Sequence, residues 1–218
     1  MNTTLTQEPR PISEKVFFAS NVFSLRSRKA PGRKVMVIGP ELFDARLLLE
    51  FDPDVVAVCE RPRFDIAIIG GQTPREVDFW VIRKSKAPHG VIVHSSSRKD
   101  KNITLGVLES SIKAAKFNCE IWVEGDLLRR RLLLRNLKQI LPYLNMDGGV
   151  DTDLSNALER DIGDSGLGGA SLAELLLAHP QKHRTQIAAS LFASFHNGKV
   201  AADLEHSLLT MDTRWLPK

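Results

Sequence analysis

The sequence has too little cysteine for a disulfide scaffold, with Cys59 and Cys119 its two thiols in 218 residues. No Cys/His spacing resembles a zinc site. No eighteen apolar residues run together, and the opening MNTTLTQEPRPISEK carries no apolar segment behind a basic flank. Neither a membrane span nor a secretory leader is expected, and a reducing, cytoplasmic setting fits best. No glycine-rich phosphate loop follows any predicted strand, which argues against nucleotide binding. What is present is an ordinary globular composition, 43% hydrophobic and 26% charged, suited to one large domain or two small ones.

The formal net charge of +4 and pI near 9.2 mildly favour an anionic partner such as nucleic acid. The charge is unevenly placed. Residues 1–34 carry Arg10, Lys15, Arg26, Arg28, Lys29, Arg33 and Lys34 against Glu8 and Glu14, so this arm holds +5 and the remainder −1. It reads either as a solvated terminus or as a basic arm on phosphates, with Arg26, Arg28, Lys29, Arg33 and Lys34 as candidate DNA contacts. Basic stretches recur at Arg83–Lys101 and Arg129–Lys138. In the second, Arg129, Arg130 and Arg131 form a candidate phosphate patch or an exposed helix face. Asp147–Glu174 is acidic and glycine-rich, which marks a linker or boundary over 147–170.

Hydrophobic patterning predicts a helix over Glu41–Glu50, ended by Asp52-Pro53. Strands are expected at Asp54–Cys59, Phe64–Ile69, Glu76–Ile82, Val91–Val93 and Glu120–Val123, the second and third forming a hairpin across Gly70-Gly71-Gln72. Leu105, Leu108, Ile112 and Ala115 share one helical face, and Asp126–Leu144 holds one or two helices. Val91–Val93 is apolar throughout and reads as central. Further on, Ser171-x-x-Glu174 is a capping-box pattern opening a helix to about His179. A second helix follows over His183–Phe195, then short extended segments at Lys199–Leu204 and Leu208–Leu216. Two helices followed by a small β-wing is the order of a winged helix. The expected organisation is a basic arm (1–34), a mixed α/β domain (35–146), the boundary segment, and a small C-terminal domain (171–218). Trp80, Trp122 and Trp215 read as packing residues.

The candidate chemistry is that of PD-(D/E)xK nucleases. These place a carboxylate on a helix, an Asp at the start of a strand and an acid-x-Lys pair on the next strand, which together hold a divalent metal beside the scissile phosphate. Asp78, in Val77-Asp78-Phe79-Trp80, stands where the strand Asp belongs. His179, His183, His196 and His206 have no acidic partner at ligand spacing, so no metal is expected there.

The ordered set Leu47–Pro62 (LLLEFDPDVVAVCERP), Val77–Trp80, Asp126–Leu128, Leu134–Tyr143 (LRNLKQILPY) and Leu191–Thr213 closely resembles the TnsA-like endonuclease subunits of heteromeric DNA transposases. The resemblance spans about residues 35–216. It implies a restriction-endonuclease-like sheet flanked by helices, followed by a winged helix. It also implies Mg²⁺-dependent cleavage of double-stranded transposon-end DNA beside a DDE transposase, an AAA+ ATPase as a possible regulator, and a nucleoid-associated setting. Carried over by position, the strand aspartate falls on Asp78. The helix glutamate falls on Leu42, with Glu41 adjacent and Asp44 two further on as substitutes. The acid-x-Lys pair falls on Ile92-Val93-His94, which has neither acid nor lysine. His94 remains to orient a water or contact phosphate, and Lys99, Lys101 or Lys113 to supply an amine. The expectation is a transposase subunit with reduced or lost nuclease activity. The alternatives are a non-catalytic winged-helix DNA-binding or regulatory protein and an active metal-dependent endonuclease, including a stand-alone defence or repair nuclease.

Overall fold

The computed structural model describes residues 7–95, 103–145 and 151–218. The chain divides into two compact units, Met1–Arg129 and Arg130–Lys218.

The N-terminal unit begins with a short helix, α1 (Glu14–Ala19), and a hairpin of β1 (Val22–Arg26) and β2 (Lys34–Ile38). Leu25, Val35 and Val37 point inward, while Ser24, Arg26 and Lys34 alternate outward. The basic arm is therefore folded from Val22 onward, because its lysines and arginines interleave with residues of strand period. Next come α2 (Pro40–Phe51) and β3 (Val55–Glu60), then a two-residue pair, β4 (Asp65–Ile66) with β5 (Arg75–Glu76). The unit closes with β6 (Phe79–Arg83), β7 (His89–His94), α3 (Leu105–Ala114), β8 (Cys119–Val123) and α4 (Glu124–Arg129).

The main sheet has the order β3-β6-β7-β8, antiparallel across the first three strands and parallel between β7 and β8. The fold is thus mixed α/β, a four-stranded mixed sheet flanked by helices. Val91, Ile92 and Val93 are fully buried, and Ile92 joins Ile66, Ile68, Val77, Leu108 and Ile112 in one apolar cluster. The predicted hairpin of Phe64–Ile69 with Glu76–Ile82 needs correction. Only Asp65–Ile66 and Arg75–Glu76 pair, while β6 pairs with β3 and β7. Ile66 and Ile68 are apolar because they pack in the α3 cluster, and the short β4/β5 ladder stops at Ile66.

The C-terminal unit comprises α5 (Arg131–Leu144), α6 (Thr152–Asp164), β9 (Ala170–Ser171), α7 (Leu172–Ala178), α8 (Arg184–His196), β10 (Val200–Ala201) and β11 (Arg214–Pro217). Helix α6 occupies the segment read as a linker. Asp151 caps it, accepting from Leu154 N at 3.0 Å, and Leu154, Leu158 and Ile162 form a buried stripe at four-residue spacing. Ser171 and Glu174 complete the capping box of α7, with bonds of 3.2 and 2.8 Å. Strand β11 lies between β10 and β9. Gly169 makes that approach possible: a Cβ there would stand 2.1 Å from the Trp215 carbonyl oxygen, and its φ of +59° suits glycine. Trp215 is fully buried against Phe192 and Phe195. Helix α8 is enclosed by α5, α6 and α7, and every residue from Ile187 to Ser194 is buried.

Candidate functional site

Asp78 sits immediately before β6, where the backbone crosses from the small β4/β5 pair into the main sheet. Its N–H donates to Val91 O at 3.1 Å, and its carbonyl accepts from Arg61 N at 2.7 Å. Its side chain is turned inward and is 3% exposed. One carboxylate oxygen, Oδ2, accepts from Arg75 Nη2 at 2.9 Å and from Val93 N at 2.7 Å. Arg75 is itself buried, and it reaches Val93 O at 3.4 Å and the Glu76 carbonyl. Asp78 and Arg75 therefore clamp β5, β6 and β7 together as a buried ion pair. Cys119 lies within reach of this charge: burial foremost, then Asp78, pushes its thiol up to about 12, which leaves it protonated and unreactive.

Among the described residues, the other residues of the nuclease pattern do not gather with Asp78 into a group of three or more ligands. Leu42 is core, 4% exposed, and Glu41 and Asp44 are half-buried on α2. Ile92, at the acid position, is sealed in the α3 cluster. His94 is half-buried at the end of β7, beside Val123 in register, on the same strand face as Ile92. Next to it, buried Ser95 donates to Glu124 Oε2 at 3.3 Å. Among the described residues no three His, Cys, Asp or Glu side chains gather as a metal site. Lys113 lies on α3, and Lys99 and Lys101 lie outside the described residues. A hard dication wants several oxygen ligands and unneutralised carboxylate charge. Asp78 already answers the charge of Arg75, and the acid position is isoleucine, so these residues do not fit Mg²⁺.

The basic residues separate into engaged and available groups. Lys29 is buried, and its ammonium donates to Leu49 O at 2.7 Å and to Asp52 O. Burial pushes its pKa down to about 8, against the opposing pull of Glu50 and Asp52. Arg33 grips buried Glu60 through both guanidinium nitrogens, one at 2.7 Å. Of those two side chains, candidates for phosphate contact by sequence, Lys29 is buried and Arg33 is half-buried and paired. Arg28 lies at the edge of the same network, its backbone N–H donating to Glu50 Oε1 at 3.2 Å. Arg26 and Lys34 are exposed on the hairpin. Arg129 pairs with Asp126, whereas Arg130 and Arg131 are exposed and have no ion-pair partner among the described residues.

Sequence reasoning missed Arg75 and Arg135. Each carries a usable signal, since Arg75 precedes Asp78 by three residues and Arg135 follows Arg131 by four, on one helix face. Neither a protein-family profile nor a characterised protein sequence matches the chain.

Proposed function

We propose that the protein is a TnsA-like transposase subunit that binds double-stranded transposon-end DNA beside a DDE transposase and has lost nuclease activity. The observation that carries the loss is the closure of Asp78 by Arg75 and the Val93 N–H. With isoleucine at the acid position and leucine at the helix position, no group of three carboxylates or other ligands remains among the described residues to bring water and metal to a phosphate. Support for the restriction-endonuclease-like part comes from order: a helix, three antiparallel strands with an aspartate entering the second, a helix, and a strand parallel to the third. For the winged-helix part it comes from α6-β9-α7-α8-β10-β11 with β11 central in its sheet. DNA contact is supported by Arg130 and Arg131, which are exposed and have no ion-pair partner among the described residues.

The experiment combines the protein, a DDE transposase and a transposon-end duplex in Mg²⁺ or Mn²⁺. The expected result is a ternary complex on a native gel with the 5′ ends intact. Cleavage that disappears in Asp78→Asn would restore the active endonuclease. Duplex binding without any transposase in the complex would favour the second reading, a winged-helix DNA-binding or regulatory protein, which rests on the topology of the C-terminal unit alone.

A further inference from the structure

The C-terminal unit contains a cleft of about 900 Å³ between the start of α5 and the 206–210 loop. Arg131 and Arg135 line one wall, four residues apart on a helix and so about 6 Å apart along its axis. His206, Ser207 and Thr210 line the other. Buried Asn136 fixes the loop in place. Its amide donates to Leu204 O at 2.9 Å and Ser207 O at 2.7 Å, and its oxygen accepts from Leu209 N at 2.9 Å. The cleft is therefore built from both sides by a side chain that is 0% exposed.

Some of the charge in this unit is matched, and some, as at Arg130, Arg160 and Arg184, has no ion pair among the described residues. Lys182 pairs with Asp151, Lys199 with Glu159, Arg214 with Glu174, and His206 with Asp203 at the cleft's own rim. Arg131 and Arg135 have no ion pair among the described residues, and both are exposed. Two guanidiniums in one cleft repel each other unless an anion lies between or along them. Each presents the forked donors that suit phosphate oxygens, and Ser207 and Thr210 also line the cleft. The cleft is open and also lined by Leu132 and Leu208, which suits a chain passing along it more than an enclosed small molecule.

We infer that this cleft holds the phosphodiester backbone of double-stranded DNA, with Arg131 and Arg135 on its phosphates. The inference deepens the DNA-binding reading above and rests on it. It also supplies a contact that α8 does not, because a helix buried from Ile187 to Ser194 cannot lie in a DNA groove through that segment.

The test measures binding of a labelled mixed-sequence duplex across a salt series, for the full chain and for Arg131→Gln/Arg135→Gln. Loss of about 0.9 in the slope of log K against log salt per phosphate contact predicts a double variant shallower by about 1.8. Circular dichroism and melting temperature should match the parent, since both side chains are exposed. Single variants Arg131→Lys and Arg135→Lys, which keep charge, should retain the slope and report on folding independently. An unchanged slope in the double variant, with the parent still binding duplex, overturns the cleft and leaves the DNA reading intact. Absence of duplex binding by the parent overturns both. Two competition arms complete the test. Displacement of the duplex by submillimolar inorganic phosphate would make this a small-anion site. Binding of a polyglutamate peptide at the cleft, lost in the double variant while duplex binding persists, would make it a protein-docking site.

Discussion

The N-terminal unit keeps Lys29, Arg46, Glu50, Glu60, Arg75 and Asp78 inside, whereas among the described residues of the C-terminal unit no Asp, Glu, Lys or Arg is buried. That second unit buries Asn136, Ser155, Ser171, Ser190, Ser194 and His196 instead. The difference decides what each unit's charges can do. Buried ions must be matched on the spot, as Arg46 is by Glu50 at 2.8 Å and Arg75 by Asp78 at 2.9 Å, and a matched ion is poorly placed to recruit metal or phosphate. Surface arginines beside neutral core groups remain available to a partner. The one carboxylate at a nuclease-like position, Asp78, is thus absorbed into structure by Arg75.

The largest effect that would break this contrast is at Asp78. Asp78→Ala leaves Arg75 buried without its partner and should cost about 3–5 kcal/mol in urea unfolding. Replacing both residues with apolar ones, Arg75→Met/Asp78→Leu, should recover most of it. A loss below about 1 kcal/mol for the single variant would show that the pair does not hold the unit together.

Lys29 comes next, through pH. Its folded pKa is lowered, to about 8 from an ordinary value of 10.5, so the fold disfavours the charged form. Below about 8 the amine is protonated in both states and the folded protein bears the whole desolvation cost. Between there and 10.5 the folded state gives up the proton first, so stability gains with rising pH, by up to about 3 kcal/mol. The stability of the parent relative to Lys29→Met should climb over that window. A flat difference would mean the ammonium is not truly desolvated.

In the C-terminal unit the matching experiment is Asn136→Ala, which leaves two carbonyls and the Leu209 N–H short of a partner. About 2 kcal/mol of stability should be lost, together with duplex affinity, because the wall of the cleft loosens. Smallest of all is Arg131→Gln/Arg135→Gln, whose stability should stay within about 0.5 kcal/mol of the parent. A larger loss would place those arginines in the structure of the unit and bring it closer to the first.

Much of this fold is readable from residue patterns. The α2 helix, β3, the central β7, the α3 face, and the capped α7 follow from propensity, periodicity and capping chemistry. The β1/β2 hairpin and α6 are obscured because their composition masks their pattern. Arginines and lysines alternate with Leu25, Val35 and Val37 in the first case. In the second, acids and glycines surround the Leu154, Leu158, Ile162 stripe. For the site, position was legible and electrostatics was not. Asp78 enters its strand where the pattern places it, but its pairing with Arg75 depends on how β5 turns into β6. Local sequence does not carry that geometry. The loop that faces Arg131 and Arg135 lies some seventy residues further along, pinned by Asn136, and long-range closure of that kind leaves no periodic trace.

The central claim is that the Asp78 locus is closed to a divalent cation. Titration of the full chain with Mn²⁺, followed by electron paramagnetic resonance, tests it most directly. The account predicts no saturable site at millimolar or lower concentrations, and indistinguishable titrations for the parent and Asp78→Asn. A single tight Mn²⁺ site in the parent that vanishes in Asp78→Asn would contradict it.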